Sequence, residues 1–293
     1  MNIQQARLYA RENLKSSPTA QLDGDVLLMS VLNCTRTELL FKKDKELSPF
    51  EYKKYIEYID YRKTGLPVAY ITGHKEFYGY NFIVSKDVLI PKPDTELLVE
   101  KTLNIIEEHF INKSIRICDM CTGSGCVGLS ILKALFDTNK TFSNDIECTL
   151  VDISERALAI TQKNVSFLDL TNAKVKLVQS DLFSNINEKF DIIVSNPPYI
   201  PHKEALDLLK DGRQEPLLAL DGDVENTVGD GLGIIKRLVL KAREQLLPKG
   251  FFITEAGEYN AEQTKELFDK AGFKDTVIWK DLAGQLRDIQ GHI

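Results

Sequence analysis

Residues 115–128 read IRICDMCTGSGCVG, and the reading of this stretch decides the fold. An apolar run of strand character ends at Asp119, a loop rich in glycine follows, and an apolar pattern of helical period begins where the loop stops. A strand, glycine loop and helix in this order bring unpaired amides at the helix start close to a ligand. Gly123, Gly125 and Gly128 spell GxGxxG, which alone suits a dinucleotide as well as any other adenosine-containing ligand.

On the C-terminal side of this stretch, strands alternate with helices. Strand patterns fall near 147–152, 174–179, 190–195 and 250–255, in addition to 115–120. Helical patterns fall near 95–110, 127–138, 154–166, 229–246 and 260–271. That alternation predicts an α/β fold, a doubly wound and mostly parallel sheet with helices on both faces. Two more strand patterns, 276–281 and 285–293, have no helix between them and predict an antiparallel pair closing one edge of a seven-stranded sheet.

On the N-terminal side the pattern differs. From Ile3 to about Lys63 apolar residues recur at helical spacing, and Ser48-Pro49-Phe50-Glu51 marks a helix start, with a capping serine, proline at the first helical position and glutamate three after the cap. Tyr52, Tyr55, Ile56 and Ile59 then share a face expected to be core. Glu76 to Val84 alternates around Gly79 as a hairpin would, and Ile90-Pro91-Lys92-Pro93-Asp94 ends the connector. Three parts are expected: a small helical domain over 1–73, a hairpin and proline-rich connector over 74–94, and the sheet domain over 95–293.

Asp152 ends the second strand of the sheet domain, where a carboxylate can accept both hydroxyls of a ribose. With the glycine loop it points to an adenosine-containing cofactor. Asp119 lies ahead of the glycines, where it would repel a pyrophosphate and welcome an ammonium, which favours S-adenosyl-L-methionine over a nicotinamide dinucleotide. Ser180-Asp181-Leu182-Phe183 follows the third strand, so Asp181 can accept from the adenine amino group while Leu182 or Phe183 covers the ring; a plain helix cap or turn is the other reading.

Asn196-Pro197-Pro198-Tyr199 follows the fourth strand. A planar amide or aryl-amine nitrogen is a poor nucleophile because its lone pair is delocalised. The Asn196 side-chain oxygen and the Pro197 carbonyl are two acceptors able to hold both hydrogens of such an NH2 group and aim its nitrogen at a sulfonium methyl. The same bonds strengthen as charge builds on the nitrogen, so they act in the transition state. Consecutive prolines stiffen the loop and remove two amide donors, and Tyr199 offers a face to a planar target.

Composition restricts the remaining possibilities. The chain has 293 residues, 43% of them hydrophobic, and a formal net charge of -6. No apolar run reaches the roughly 18 residues of a membrane helix, and the first residues lack a secretory signal, so a cytoplasmic protein off the membrane is expected. Residues 1–89 hold 13 Lys/Arg against 11 Asp/Glu, and 90–293 hold 24 against 32, so neither part is a basic nucleic-acid footprint. Cysteines 34, 118, 121, 126 and 148 are an odd number and the histidines are scattered, which predicts reduced thiols and no metal site.

With these residues in view, the chain resembles the class I, Rossmann-like S-adenosylmethionine methyltransferases, and within them the bacterial peptide chain release factor glutamine methyltransferases known as HemK or PrmC. The resemblance spans nearly the whole chain: Gly65 to Gly73, Glu76-Phe77-Tyr78, Ile90 to Glu96, Asn196 to Tyr199, Glu215-Pro216 with Ala219-Leu220, and Asp281 to Arg287. It implies methylation of the side-chain amide nitrogen (N5) of the glutamine in the Gly-Gly-Gln loop of release factors. By motif match, Cys121, Thr122, Gly123, Ser124, Gly125, Asp152, Leu182 and Asn196 contact the cofactor, and Asn196, Pro197, Pro198 and Tyr199 hold the glutamine. The N-terminal domain helps dock the release factor, the partner is a protein rather than a nucleic acid, and a monomer is expected.

Three positions depart from the family pattern. Cys121 stands where the first loop glycine is usual, so a left-handed backbone there would be strained. Lys92 replaces the arginine common in the proline-rich motif, and Leu182 replaces a frequent tryptophan. The alternatives are a glutamine methyltransferase of a ribosomal protein, a DNA adenine N6 methyltransferase, a nicotinamide oxidoreductase and a non-catalytic nucleotide-binding adaptor. The acidic chain lacks a base-flipping module, the intact tetrad opposes an adaptor, and the only His or Lys close to it are His202, expected as a solvated loop residue, and Lys203. The sequence leaves the stretch from Pro201 to about Val228 as a long polar loop beside the tetrad, expected to order with the protein substrate.

Overall fold

A computed structural model describes residues 1–111, 113–137, 145–223 and 229–293, which form two compact units. The first unit comprises Met1–His74 with Leu208–Gln214. Its helices are α1 (Ile3–Asn13), α2 (Ala20–Leu32), α3 (Arg36–Phe41), α4 (Pro49–Lys63) and α5 (Val68–Thr72). Reciprocal capping starts three of them, Asn2 with Gln5, Thr35 with Glu38, and the expected Ser48 with Glu51.

Tyr55 is fully buried at the centre of this unit, and its hydroxyl donates to the carbonyls of Ala6 and Gly24, each at 3.2 Å. Small residues let α1 and α2 meet closely there, since a Cβ on Gly24 would lie 2.3 Å from the Cβ of Ala10. The buried carboxylates of α2 are paired: Asp25 takes a forked contact from Arg7 at 2.7 and 2.9 Å, and Asp23 takes Arg62 at 2.8 Å. The stripe on α4 is narrower than its sequence suggests, because Tyr55 and Ile59 are buried while Tyr52 is exposed.

The second unit comprises Lys75–Asp207 and Glu215–Ile293. Next in chain order is a hairpin of β1 (His74–Phe77) and β2 (Tyr80–Ile83), turned through Tyr78 and Gly79, both at positive φ. A seven-stranded sheet follows in the order β5-β4-β3-β6-β7-β9-β8. In chain order its elements are α6 (Glu96–His109), β3 (Ile115–Met120), α7 (Cys126–Asp137), β4 (Ile146–Asp152), α8 (Glu155–Phe167), β5 (Lys174–Gln179) and β6 (Phe190–Ser195). Then come α9 (His202–Leu208), α10 (Gly233–Gln245), β7 (Leu246–Glu255), α11 (Ala261–Ala271), β8 (Lys274–Lys280) and β9 (Leu286–His292).

Strands β3 to β7 pair in parallel, and β9 inserts antiparallel between β7 and β8, so the last strand is internal and β8 forms the edge. Alternation along the strands serves two cores. Ile192 and Phe251 join a cluster with Ile106, Leu132 and the hairpin's Phe77 and Phe82, while Ile193 and Phe252 join one with Leu238 and Phe268. The stretch expected as a bare loop holds α9 and two short 3-10 turns, Leu209–Asp211 and Leu217–Ala219; residues 224–228 lie outside the described residues. No described helix is long and apolar enough to cross a membrane.

The contact of α1 with α2 yields a stability test. Gly24→Ala must push the helices apart, and the expected loss is about 1–3 kcal/mol of overpacking strain. Urea titration of the helical unit's signal measures it; an unshifted midpoint would mean that the helices have room for the methyl group.

Candidate active site

The sheet order reverses between β3 and β6, and in open α/β sheets the crevice at such a reversal receives ligands. Met120 pairs with Ser195 in register, and the Ser195 hydroxyl donates to the Met120 carbonyl at 2.7 Å, so the loops after these strands start side by side. Between them a cavity of about 570 Å³ opens, within the range of small-molecule sites.

The glycine loop forms one wall. Asp119, almost fully buried, accepts from the Thr122 hydroxyl at 2.6 Å and the Gly128 amide at 2.9 Å through the same oxygen. Gly128 permits this approach, because a Cβ there would lie 2.5 Å from Leu150 and 3.0 Å from the Asp119 carboxylate. Desolvation is the largest influence on Asp119 and pushes its pKa up to about 7, against the pull of its two hydrogen bonds. Cys121 has φ of 60°, the left-handed conformation anticipated at that position.

Helix α8 pins the loop from behind. The Thr161 hydroxyl donates to the Gly123 carbonyl at 2.8 Å, and the Asn164 amide donates to the carbonyls of Ser124 and Ile83, each at 2.9 Å. Asn164 thus ties the hairpin to the ligand loop. Asp152 receives the Gly123 amide on one oxygen and the Ser154 amide on the other, both at 2.9 Å, so its plane is set before any ligand arrives. Its burial raises its pKa against those same bonds.

The opposite wall carries Asn196, whose amide nitrogen donates to the Thr95 hydroxyl at 2.9 Å. In this arrangement the carboxamide oxygen is the end left to accept from a ligand. Tyr199 donates its hydroxyl to Glu255 at 3.0 Å, and its carbonyl receives the Tyr259 hydroxyl at 3.0 Å and the Asn260 amide at 3.1 Å. Two glycines make room for its backbone, since a Cβ on Gly231 would lie 2.2 Å from the Tyr199 carbonyl oxygen and one on Gly222 would lie 2.7 Å from its Cα.

Of the residues singled out from the sequence, Asp119, Cys121, Thr122, Gly123, Ser124, Asp152, Asp181, Leu182, Asn196 and Pro198 line this one cavity. Gly125, Pro197 and Tyr199 are not among the lining residues; Gly125 faces Leu129 and Thr161, and Tyr199 turns its hydroxyl to Glu255. Asp181 is paired with Arg237 at 2.7 Å, and Leu182, at φ of 48°, lines the wall where Phe183 does not. His202 opens α9 against Asp221 and lies off the cavity. Lys92 makes a single contact with Glu215 at 2.7 Å.

Several lining residues had no assigned role: Thr95, Ile153, Arg237 and the Pro216–Ala219 turn. Thr95 and Pro216 lie within stretches already marked by the proline-rich and Glu-Pro motifs. Arg237 and Ile153 carry no local signal. All five cysteines are free thiols.

Both parts of the chain match known proteins. A model of the PrmC N-terminal domain matches residues 5–73, and a methyltransferase small domain model matches 94–213. The chain is 36% identical to the release factor glutamine methyltransferase of Clostridium acetobutylicum, across 97% of this chain and 95% of that protein. It is 37% identical to the enzyme of the same name from Koribacter versatilis, across 99% and 98%.

The chain belongs to the release factor glutamine methyltransferases.

The fold agrees with that membership. A solved T. thermophilus 16S rRNA methyltransferase in complex with AdoMet and guanosine superimposes with a TM-score of 0.51 at 15% identity, covering 75% of this chain and 49% of that one. In this chain Cys121 is held at positive φ and Leu182 lies on the cavity wall.

Asp119 makes the stability of this methyltransferase depend on pH. Folding raises its pKa from 3.8 to about 7, so its contribution is fully present below the unfolded value and is lost as pH rises through about 7. The expected slope from this group is about 1.4 kcal/mol per pH unit across that interval. Asp119→Asn should flatten the slope in denaturant titrations; an identical pH profile in the variant would assign the dependence to other groups.

Proposed function

We propose that this chain transfers a methyl group from S-adenosyl-L-methionine to the side-chain amide nitrogen of the glutamine in the Gly-Gly-Gln loop of peptide chain release factors. The observation that carries the reading is the Asn196 carboxamide, oriented by Thr95 and facing the same cavity as Asp119 and Asp152, in a chain of this family.

The residues present suit the cofactor. Both Asp152 oxygens are anchored by amides and retain acceptor capacity for the two ribose hydroxyls. Ser124 Oγ, buried on the same wall, has no oxygen or nitrogen partner among the described residues and offers a further polar contact. Asp119 supplies negative charge for the methionine ammonium, and Leu182 supplies apolar surface for adenine. The bound cofactor supplies an electrophilic methyl group on a sulfonium.

The protein's own residues then handle the nucleophile. Asn196 Oδ1 and the Pro197 carbonyl accept the two N–H bonds of the target amide, holding its nitrogen in line. Their hold strengthens as the nitrogen gains positive character, which lowers the barrier without a strong base. The amide proton becomes acidic only as the new bond forms and leaves to water. The two prolines keep the carbonyls in position before substrate arrives.

The helical unit, matched by the PrmC N-terminal domain model, is the part we assign to docking the release factor, with the hairpin and proline-rich stretch as connector. Its near balance of charge supports a protein partner over a nucleic acid. With a translation factor as substrate, the proposed place of action is the cytoplasm.

The test is transfer of labelled methyl to a purified release factor and to the same factor with its loop glutamine replaced by alanine. Label on the first alone is the expected result; label on neither, with cofactor binding intact, would overturn the assignment of substrate. Asn196→Ala should remove most transfer while leaving cofactor affinity within about threefold, because the lost contacts act in the transition state. Asp152→Ala should instead weaken cofactor binding by about 1–3 kcal/mol, read by titration calorimetry, and an unchanged isotherm would count against the ribose role.

A further inference from the structure

The loop from Thr122 to Gly125 engages three of its four amides within the fold: Thr122 donates to the Val151 carbonyl at 2.9 Å, Gly123 to Asp152 at 2.9 Å and Gly125 to the Thr122 carbonyl at 2.8 Å. The fourth, that of Ser124, has no acceptor among the described residues. Ser124 is 2% exposed and lines the cavity, and its Oγ is likewise without a partner among the described residues. Two donors on one buried residue are costly to leave unmade. They sit just ahead of the first turn of α7, where the helix dipole favours a negative group.

The direction of the amide is set from the other side of the loop. In a trans peptide the carbonyl and the following N–H lie on opposite edges. The Thr161 hydroxyl takes the Gly123 carbonyl at 2.8 Å, a shorter contact than the 3.2 Å to the Ala157 carbonyl of its own helix. Thr161 and Asn164 are not among the residues that line the cavity, so the Gly123 carbonyl turns away from it and the Ser124 N–H turns toward it. Asn164, fully buried, gives one amide hydrogen to the Ser124 carbonyl at 2.9 Å and the other to the Ile83 carbonyl at 2.9 Å, while its oxygen accepts the Ile83 amide at 2.7 Å. The loop and helix are in tight contact as well, since a Cβ on Gly125 would lie 2.8 Å from Thr161 Cγ2. Neither loop peptide can rotate without breaking a bond to α8.

The amino-acid end of S-adenosylmethionine carries an ammonium and a carboxylate on one carbon. Asp119 suits the ammonium, but a wall that also holds Asp152 and Asp181 repels a carboxylate unless donors receive it. We propose that Thr161 and Asn164 are positioning residues for cofactor binding: by holding the Gly123 and Ser124 carbonyls behind the loop, they direct the Ser124 amide and hydroxyl at the carboxylate of the cofactor. This rests on the cofactor reading given above. The Ser124 hydroxyl can rotate to suit a ligand, whereas the amide points only where α8 has set it. Helix α8 therefore governs how firmly the carboxylate is held and leaves the groups facing the tetrad untouched.

The experiment measures, by titration calorimetry on the full chain, the binding of S-adenosylmethionine and of decarboxylated S-adenosylmethionine, which keeps the adenosine, the sulfonium and the amine but lacks the carboxylate. Thr161→Val retains the methyl group packed against Gly125 and removes only the hydroxyl. Its expected effect is a loss of about 5- to 20-fold in affinity for S-adenosylmethionine, with affinity for the decarboxylated ligand within about twofold. Thr161→Ser, which keeps the hydroxyl, should restore the difference between the two ligands. Ser124→Ala should weaken S-adenosylmethionine selectively in the same way, and so should Asn164→Ala; if Asn164→Ala does not fold, the two Thr161 variants decide the matter on their own. An equal loss for both ligands in Thr161→Val would reduce α8 to a structural support and overturn the proposal, as would unchanged affinity for S-adenosylmethionine. Failure of the unmodified chain to bind either ligand would instead overturn the cofactor reading, whatever the variants do.

Discussion

The parallel pairing of β3 with β6 is the constraint on which the site depends. It sets Met120 opposite Ser195 at the point where the strand order reverses, so a loop carrying carboxylates and amides and a loop carrying carbonyl acceptors emerge together. Each is poorly suited to the other's ligand. In the proposed function one holds the cationic and hydroxyl-bearing parts of a cofactor and the other an amine whose two hydrogens need acceptors. Adjacent strands bring their ligands within reach of one another, and the register leaves little freedom to separate them.

Preorganisation recurs through the polar part of the structure. Asp119, Asp152 and Glu255 are carboxyl groups withdrawn from water, and each is held by donors from elsewhere in the chain: a loop threonine and a helix amide, two loop amides, and the hydroxyl of Tyr199. Such groups cost stability, since desolvation raises the pKa of all three. The apolar clusters on both faces of the sheet offset that cost. Desolvated carboxylates held by fixed donors are a combination expected where orientation controls a rate.

The elements themselves were legible in the chain. Apolar runs of strand character, alternating with helical patterns, marked every strand of the sheet, and the absence of a helical pattern before the last strand anticipated the antiparallel pair. The hairpin was visible in the alternation around Gly79. What local pattern did not convey was that β9 inserts beside β7, which sets residues such as Glu255 and Asp288 opposite each other without any signal in either segment. Nor did it show that residues 201–223 include a helix and two short turns, because these are brief and owe their order to distant contacts such as Ile200 with Leu220 and His202 with Asp221.

For the site, sequence alone determined the groups whose chemistry is carried within one loop: the glycines, Asp119, Asp152 and the Asn196 to Tyr199 tetrad. Backbone conformation and side-chain type over a few residues are enough to specify them. Only the tertiary structure decided how those groups are oriented. Thr95 reaches Asn196 across 101 positions, Tyr199 reaches Glu255 across 56, and Asn164 reaches Ile83 across 81, and no local preference encodes partners so far apart. A hydrogen-bonding group declares its capacity in the sequence, but its direction exists only once folding has supplied the atom it points to.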